Sequence, residues 1–138
     1  MVVAGFLASA TPSHSQARIE TKLATVAIDP TVDGSAMIDI STAKGRFDQF
    51  GLTASIEMTL LGFGVVTPAG TAQFDESPIE LAPARVLLNS VQDGPAFINK
   101  VIVSWKGDAK AKRPATITLT SYQTATDHAA TRHRSEEK

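Results

Sequence analysis

Leu52-Thr-Ala-Ser-Ile-Glu-Met-Thr-Leu60 is the stretch on which the fold class turns. In an extended chain Leu52, Ala54, Ile56, Met58 and Leu60 share one face, and Thr53, Ser55, Glu57 and Thr59 share the other. Strict alternation of this kind suits a half-buried strand and breaks the 3.6-residue period of an amphipathic helix. The reading predicts one strand over these residues, with the five apolar side chains facing the core.

Working outward, Thr116-Ile-Thr-Leu-Thr-Ser-Tyr122 repeats the pattern with β-branched and aromatic residues prominent. Phe97, Val101, Val103 and Trp105 share a face of a further strand, interrupted only by Asn99. Lys22–Ile28 and Ser35–Ser41 read as weaker strands. Asp29-Pro-Thr-Val-Asp-Gly34 between them carries turn residues, which predicts a hairpin. Ile19 and Leu23 are out of phase with Val26 and Ile28, and one extra residue in a β-bulge would absorb the slip. Lys106 to Pro114 is expected to join the Trp105 and Ile117 strands as a long polar hairpin. Short strands are also expected at Phe63–Thr67, Thr71–Phe74 and Ile79–Leu81, punctuated by Pro68-Ala-Gly70 and Ser77-Pro78. Arg85–Val91 is ambiguous, because Ala84, Leu87, Leu88 and Val91 fit a helix face while Val86-Leu-Leu88 fits a buried strand; strand is the favoured reading.

About eight short strands without long helical segments predict an all-β fold, a single antiparallel β-sandwich of jelly-roll or Greek-key type. The expected division is an N-terminal arm over 1–17, a sandwich domain over 18–123 and a polar C-terminal tail over 124–138. No large apolar residue occurs after Thr124, so the tail is not expected to anchor itself to a core. At 138 residues and 43% apolar content, one core of Val, Ile, Leu and Ala is affordable without staples.

Several chemistries are disfavoured. The absence of cysteine removes disulfides, thiol catalysis and thiolate metal sites. Thirteen basic against fourteen acidic residues leave a charge of −1, a poor match to a phosphate backbone. The main basic run, Lys106 to Arg113, is confined to one connection and has no aromatic within 108–113 to stack a base, so specific nucleic-acid binding is not expected. His14, His128 and His133 all lie in the arm or tail, and there is no Gly-x-Ser-x-Gly elbow; a Ser-His-Asp arrangement is not expected. His128 and His133 lack the i, i+4 spacing of a helical zinc pair.

Asp29 and Asp33 lack the ligand-rich pattern of a calcium loop and read as turn residues. Asp75-Glu76 reads as a solvated loop. The glycines of Leu61-Gly-Phe-Gly-Val65 lack a dinucleotide-binding context and point to a bend or close packing under a partner. The Thr116, Thr118 and Thr120 row reads as the polar outer face of an edge strand. The expectation is a non-enzymatic protein with no cofactor and no metal.

The apolar start, Val2, Val3, Phe6, Leu7 and Ala10, precedes a polar spacer and carries no cation before Arg18, so it reads as an arm or first strand in preference to a signal peptide. It is also too short to span a membrane as a helix. Val2, Val3, Phe6 and Leu7 are the candidate interface residues, their partners being copies of the chain and other assembly subunits. Cysteine-free sandwiches rich in Thr, Ala and Val with arms at both ends are a common form among virion proteins, an analogy of fold class only. The functional expectation is a structural subunit of a symmetric assembly, a phage decoration, capsid-associated or tail protein located in the virion. The alternative is a secreted or periplasmic sandwich that binds a carbohydrate or protein ligand, which a mature chain starting at Arg18 would favour.

Overall fold

The computed structural model describes residues 18–130. Nine strands and one short helix follow one another: β1 (Arg18–Ile28), β2 (Gly34–Asp39), β3 (Gln49–Ala54), β4 (Met58–Val66), β5 (Ala72–Asp75), β6 (Ile79–Leu81), β7 (Leu87–Ser90), β8 (Lys100–Lys106), β9 (Ala115–Thr124) and α1 (Ala125–Ala129). They form an all-β sandwich of two antiparallel sheets, ordered β1-β9-β3-β7 and β2-β8-β4-β5, with β6 also on β4. The candidate interface residues Val2, Val3, Phe6 and Leu7 lie outside the described residues.

The pairings are nested: β1 with β9, β2 with β8, β3 with β7, and β4 with β5 and β6. β5 and β6 lie along one edge of β4 and act as one strand broken at Glu76-Ser77-Pro78. Proline cannot donate to a ladder, which is consistent with a break there. Counting that pair as one strand gives eight strands in the wrapped, doubled-hairpin order of a jelly roll.

Leu52–Leu60 is two strands, not one. The chain leaves the first sheet after Ala54, crosses through Ser55, Ile56 and Glu57, and enters the second sheet at Met58. Leu52, Ala54, Met58 and Leu60 are buried, whereas Ile56 in the crossing is half-buried. Alternation survives the crossing because both sheets turn an inner face to the same core. The two expected hairpins are corrected for a related reason. β1 and β2 lie in different sheets, as do β8 and β9, so Asp29–Asp33 and Gly107–Pro114 are inter-sheet crossings. Turn residues mark a reversal of the chain but do not say whether the next strand pairs with the last.

Other expectations are met. The register of β1 on β9 shifts between Lys22 and Ala24, a bulge at Leu23 that absorbs the phase slip. Leu87–Ser90 is a strand, and β4 and β5 form a true hairpin in which Thr67 N–H donates to Thr71 O at 2.9 Å. The core contains Phe47, Phe50, Leu52, Leu60, Leu81, Ile98, Val101, Val103, Ile117 and Leu119. Phe50 bridges its aromatic part, with ring centroids 5.3 Å from Phe47 and 6.0 Å from Phe63.

The start of the expected C-terminal tail is anchored after all, by polar contacts. Gln123 Nε2 donates to Lys44 O and Arg46 O, both at 2.9 Å, and Arg46 Nη2 donates to Asp127 Oδ1 at 2.7 Å. Asp127 N–H in turn donates to Thr124 Oγ1, capping α1. A test for large apolar residues misses an anchor of this type.

Candidate interaction surface

Strand registers place Met37, Ile102, Gly64 and Phe74 in one row across the outer face of the second sheet, one residue from each of β2, β8, β4 and β5. Met37 is 59% exposed and Phe74 43%. The Phe74 ring lies over Gly62 and Gly64, where any Cβ would collide with it. That is the close packing expected of the two glycines, and it leaves the ring flat on the sheet. Asp39 pairs with Lys100 on one side of the row and Ser35 with Ser104 on the other. The result is an apolar band within a polar rim, the usual look of a protein-binding surface.

The outer face of the first sheet is different. Thr25 and Thr118 hydroxyls lie 3.2 Å apart, and Thr53 Oγ1 donates to Ala82 O at 3.1 Å. The Thr116, Thr118, Thr120 row lies on β9, which is flanked by β1 and β3. The expectation of an edge strand is therefore corrected. Val86 and Leu88 at the β7 margin are 52% and 51% exposed.

Two concave features accompany these faces. At one end of the sandwich, Pro30, Glu57, Glu80, Lys106 and Asp108 line an open cleft of about 470 Å³. Between the β5 and β7 edges lies a slot of about 70 Å³, with Phe50, Phe63 and Val91 inside and Gln73 and Asn89 among its lining. The basic run Lys106–Arg113 belongs to the first of these ends, where Asp29, Glu57, Glu80 and Asp108 interleave acidic groups with it. Mixed charge of this kind gives no concentrated positive field.

The remaining sequence candidates fall into structural roles. Asp29 Oδ1 accepts from the backbone N–H and the hydroxyl of Thr31, an Asx turn. Those two bonds, with Arg113 adding a smaller effect, hold the Asp29 carboxyl below its ordinary range. Asp33 Oδ1 accepts from Gly107 N–H at 2.6 Å, tying two crossings together. Asp75 accepts from Ser77 at the β5–β6 break. His128 sits in α1, while His14 and His133 lie outside the described residues. Among the described residues no group of three or more His, Cys, Asp or Glu is arranged to hold a metal ion. No described helix is long and apolar enough to cross a membrane.

The band was not foreseen from the sequence, although its signal is there. Met37 is a large apolar residue out of phase with Ala36 and Ile38, which face inward. Phe74 is the one large apolar residue of β5, flanked by Gln73 and Asp75, and the glycine pair it covers is its complement on β4. The chain matches no known protein-family model and no curated protein at a significant level.

Proposed function

We propose that this chain is a non-enzymatic structural subunit of a symmetric protein assembly, of the kind found in virions as phage decoration, capsid-associated or tail proteins. The observation that carries the reading is the Met37–Ile102–Phe74 band on a jelly-roll sheet, which no other described residue covers. Leaving such surface in water forgoes about 25 cal/mol for each Å² of apolar area, which burial by a neighbouring subunit recovers. In this reading Val2, Val3, Phe6 and Leu7 supply a second contact by clasping a neighbour, and nucleic acid is not a specific partner. Native mass spectrometry and electron microscopy of the full-length chain test it: a discrete symmetric multimer is expected, and deleting residues 1–10 should leave a folded domain that assembles less well. A chain that stays monomeric at high micromolar concentration, alone and in lysate of its native source, overturns it.

A second reading has its own observation, the cleft beside Glu57, Glu80 and Lys106. Mixed donors and acceptors around an open hollow suit a secreted or periplasmic module that binds a carbohydrate or a peptide. A native chain beginning at Arg18, with saturable glycan or peptide binding lost on Glu80→Ala, would favour this reading.

A further inference from the structure

We propose that β2 pairs with the β2 of a second copy, antiparallel about a two-fold axis at Met37, so that the two β2-β8-β4-β5 sheets join into one. This names one axis of the assembly and rests on the assembly reading for its biological sense.

Among the described residues the sandwich has four margins. β1 is an edge, but it exposes Arg18, Glu20 and Lys22 and carries the bulge at Leu23. The β5–β6 margin is broken at Glu76-Ser77-Pro78, and β7 spans only Leu87–Ser90. Charges, bulges, prolines and short length are the devices that stop edges from pairing. β2 has none of them: it keeps unbroken register with β8 from Gly34 to Asp39, without proline and without charge before Asp39.

The phase of the ladder identifies the groups on offer. Ile40 N–H donates to Asn99 O at 2.8 Å, towards the β8 side. In an antiparallel ladder alternate residues turn both N–H and C=O to the same neighbour. Ala36 and Ile38 therefore bond to β8, and Ser35, Met37 and Asp39 turn their backbone groups to the open edge.

Pairing about Met37 satisfies that row on both copies at once, each of the three residues donating and accepting one bond across the axis. It sets Ser35 opposite Asp39 of the other copy, where a hydroxyl donates to a carboxylate and no like charges meet. On the inner face it sets Ala36 opposite Ile38, apolar against apolar. On the outer face Met37 meets its own copy, and the exposed band of each molecule runs on into the other. A strand that matches its own reversed copy on both faces is suited to an isologous contact.

Sedimentation equilibrium of the full-length chain, with residue-resolved hydrogen exchange, tests this. The wild type should dimerise or form a larger multimer, with the amides of Ser35, Met37 and Asp39 protected. Met37→Lys and Met37→Glu, at an exposed position that leaves the fold intact by circular dichroism, should each weaken the contact at least about tenfold by setting like charges against each other. Mixing the two variants should restore pairing as a heterodimer, because residue 37 faces itself only at a two-fold axis.

A monomeric wild type overturns this contact, and the assembly reading falls with it only if the chain is also monomeric in lysate of its native source. A multimer that survives both substitutions, with amide 37 exchanging freely, overturns this contact alone. Self-association that is lost in both variants but not restored on mixing also overturns the two-fold, and points to another strand on this edge, such as the chain's own residues 1–17.

Discussion

Leu52–Leu60 and Thr116–Thr124 both send every second side chain towards the core, yet the second is one continuous strand and the first is two strands in different sheets. In β9 the inward residues Ile117, Leu119 and Ser121 lie in one sheet, each between partners on β1 and β3. In the other stretch Leu52 and Ala54 enter the core from one sheet and Met58 and Leu60 from the opposite one. The difference separates two properties that alternation confounds: facing the core, and sharing a ladder.

The strongest test inserts one glycine into each stretch. After Leu119 the insertion should abolish cooperative folding, because a one-residue slip turns the rest of the strand to the wrong face. After Ile56 it only lengthens a crossing and should cost about 1 kcal/mol, with the core otherwise retained. Thermal or urea unfolding of the two variants reads the contrast, and equal losses would mean that residues 55–57 are held as tightly as β9.

Truncation of single side chains sharpens the same point. Leu52→Ala, Leu60→Ala and Leu119→Ala each remove a buried side chain and should cost about 2–5 kcal/mol in chemical denaturation. Ile56→Ala, in phase with them but half-buried in the crossing, should cost about 1 kcal/mol. A loss at Ile56 equal to that at Leu52 would place it in the core after all.

These contrasts also mark how far the sequence was legible. Alternation located the strand of Thr116–Tyr122, and the phase slip between Leu23 and Val26 located the bulge, because both are local consequences of one inner face. Which strands pair was not legible at Asp29–Gly34 or Lys106–Pro114, since a crossing and a hairpin use the same turn residues. The Arg46–Asp127 anchor joins residues distant in sequence and leaves no local pattern. Of the surface, Met37 was readable only as an apolar residue out of phase with Ala36 and Ile38, and Phe74 only as the one large apolar residue of its strand; both gained meaning once strand order placed them in one row.

Ser55→Ala probes the crossing from its outer side and should have a smaller effect. Ser55 Oγ accepts from Thr116 N–H at 2.9 Å while Ser55 N–H donates to Thr116 O, also at 2.9 Å, so the exposed serine holds the start of β9. Loss of the first bond, at an exposed side chain, should cost about 0.5 kcal/mol. No measurable change would show that water replaces the hydroxyl without penalty.

The smallest effect concerns acid. Thr31 and Arg113 hold Asp29 ionised to lower pH than in the unfolded chain, whose value is near 3.8. The folded state thus binds this proton less readily, and the stabilisation is present above the ordinary carboxylate pKa and is lost as pH falls through the folded value. Asp29→Asn should make stability fall slightly less steeply below about pH 4, as read by urea midpoints across pH. An unchanged slope would show that this exposed carboxylate is screened by solvent.

The indole of Trp105 donates to Asp29 O and Val32 O, at 3.3 and 3.1 Å, and is the only tryptophan in the chain. Intrinsic fluorescence is therefore a local optical reporter: excited at the red edge, the protein emits from one place, the seam where the β1–β2 crossing closes over β8. A red shift that precedes the loss of far-ultraviolet ellipticity would record that seam opening while the sheets still stand, and coincident curves would show that the end and the core melt as a single unit.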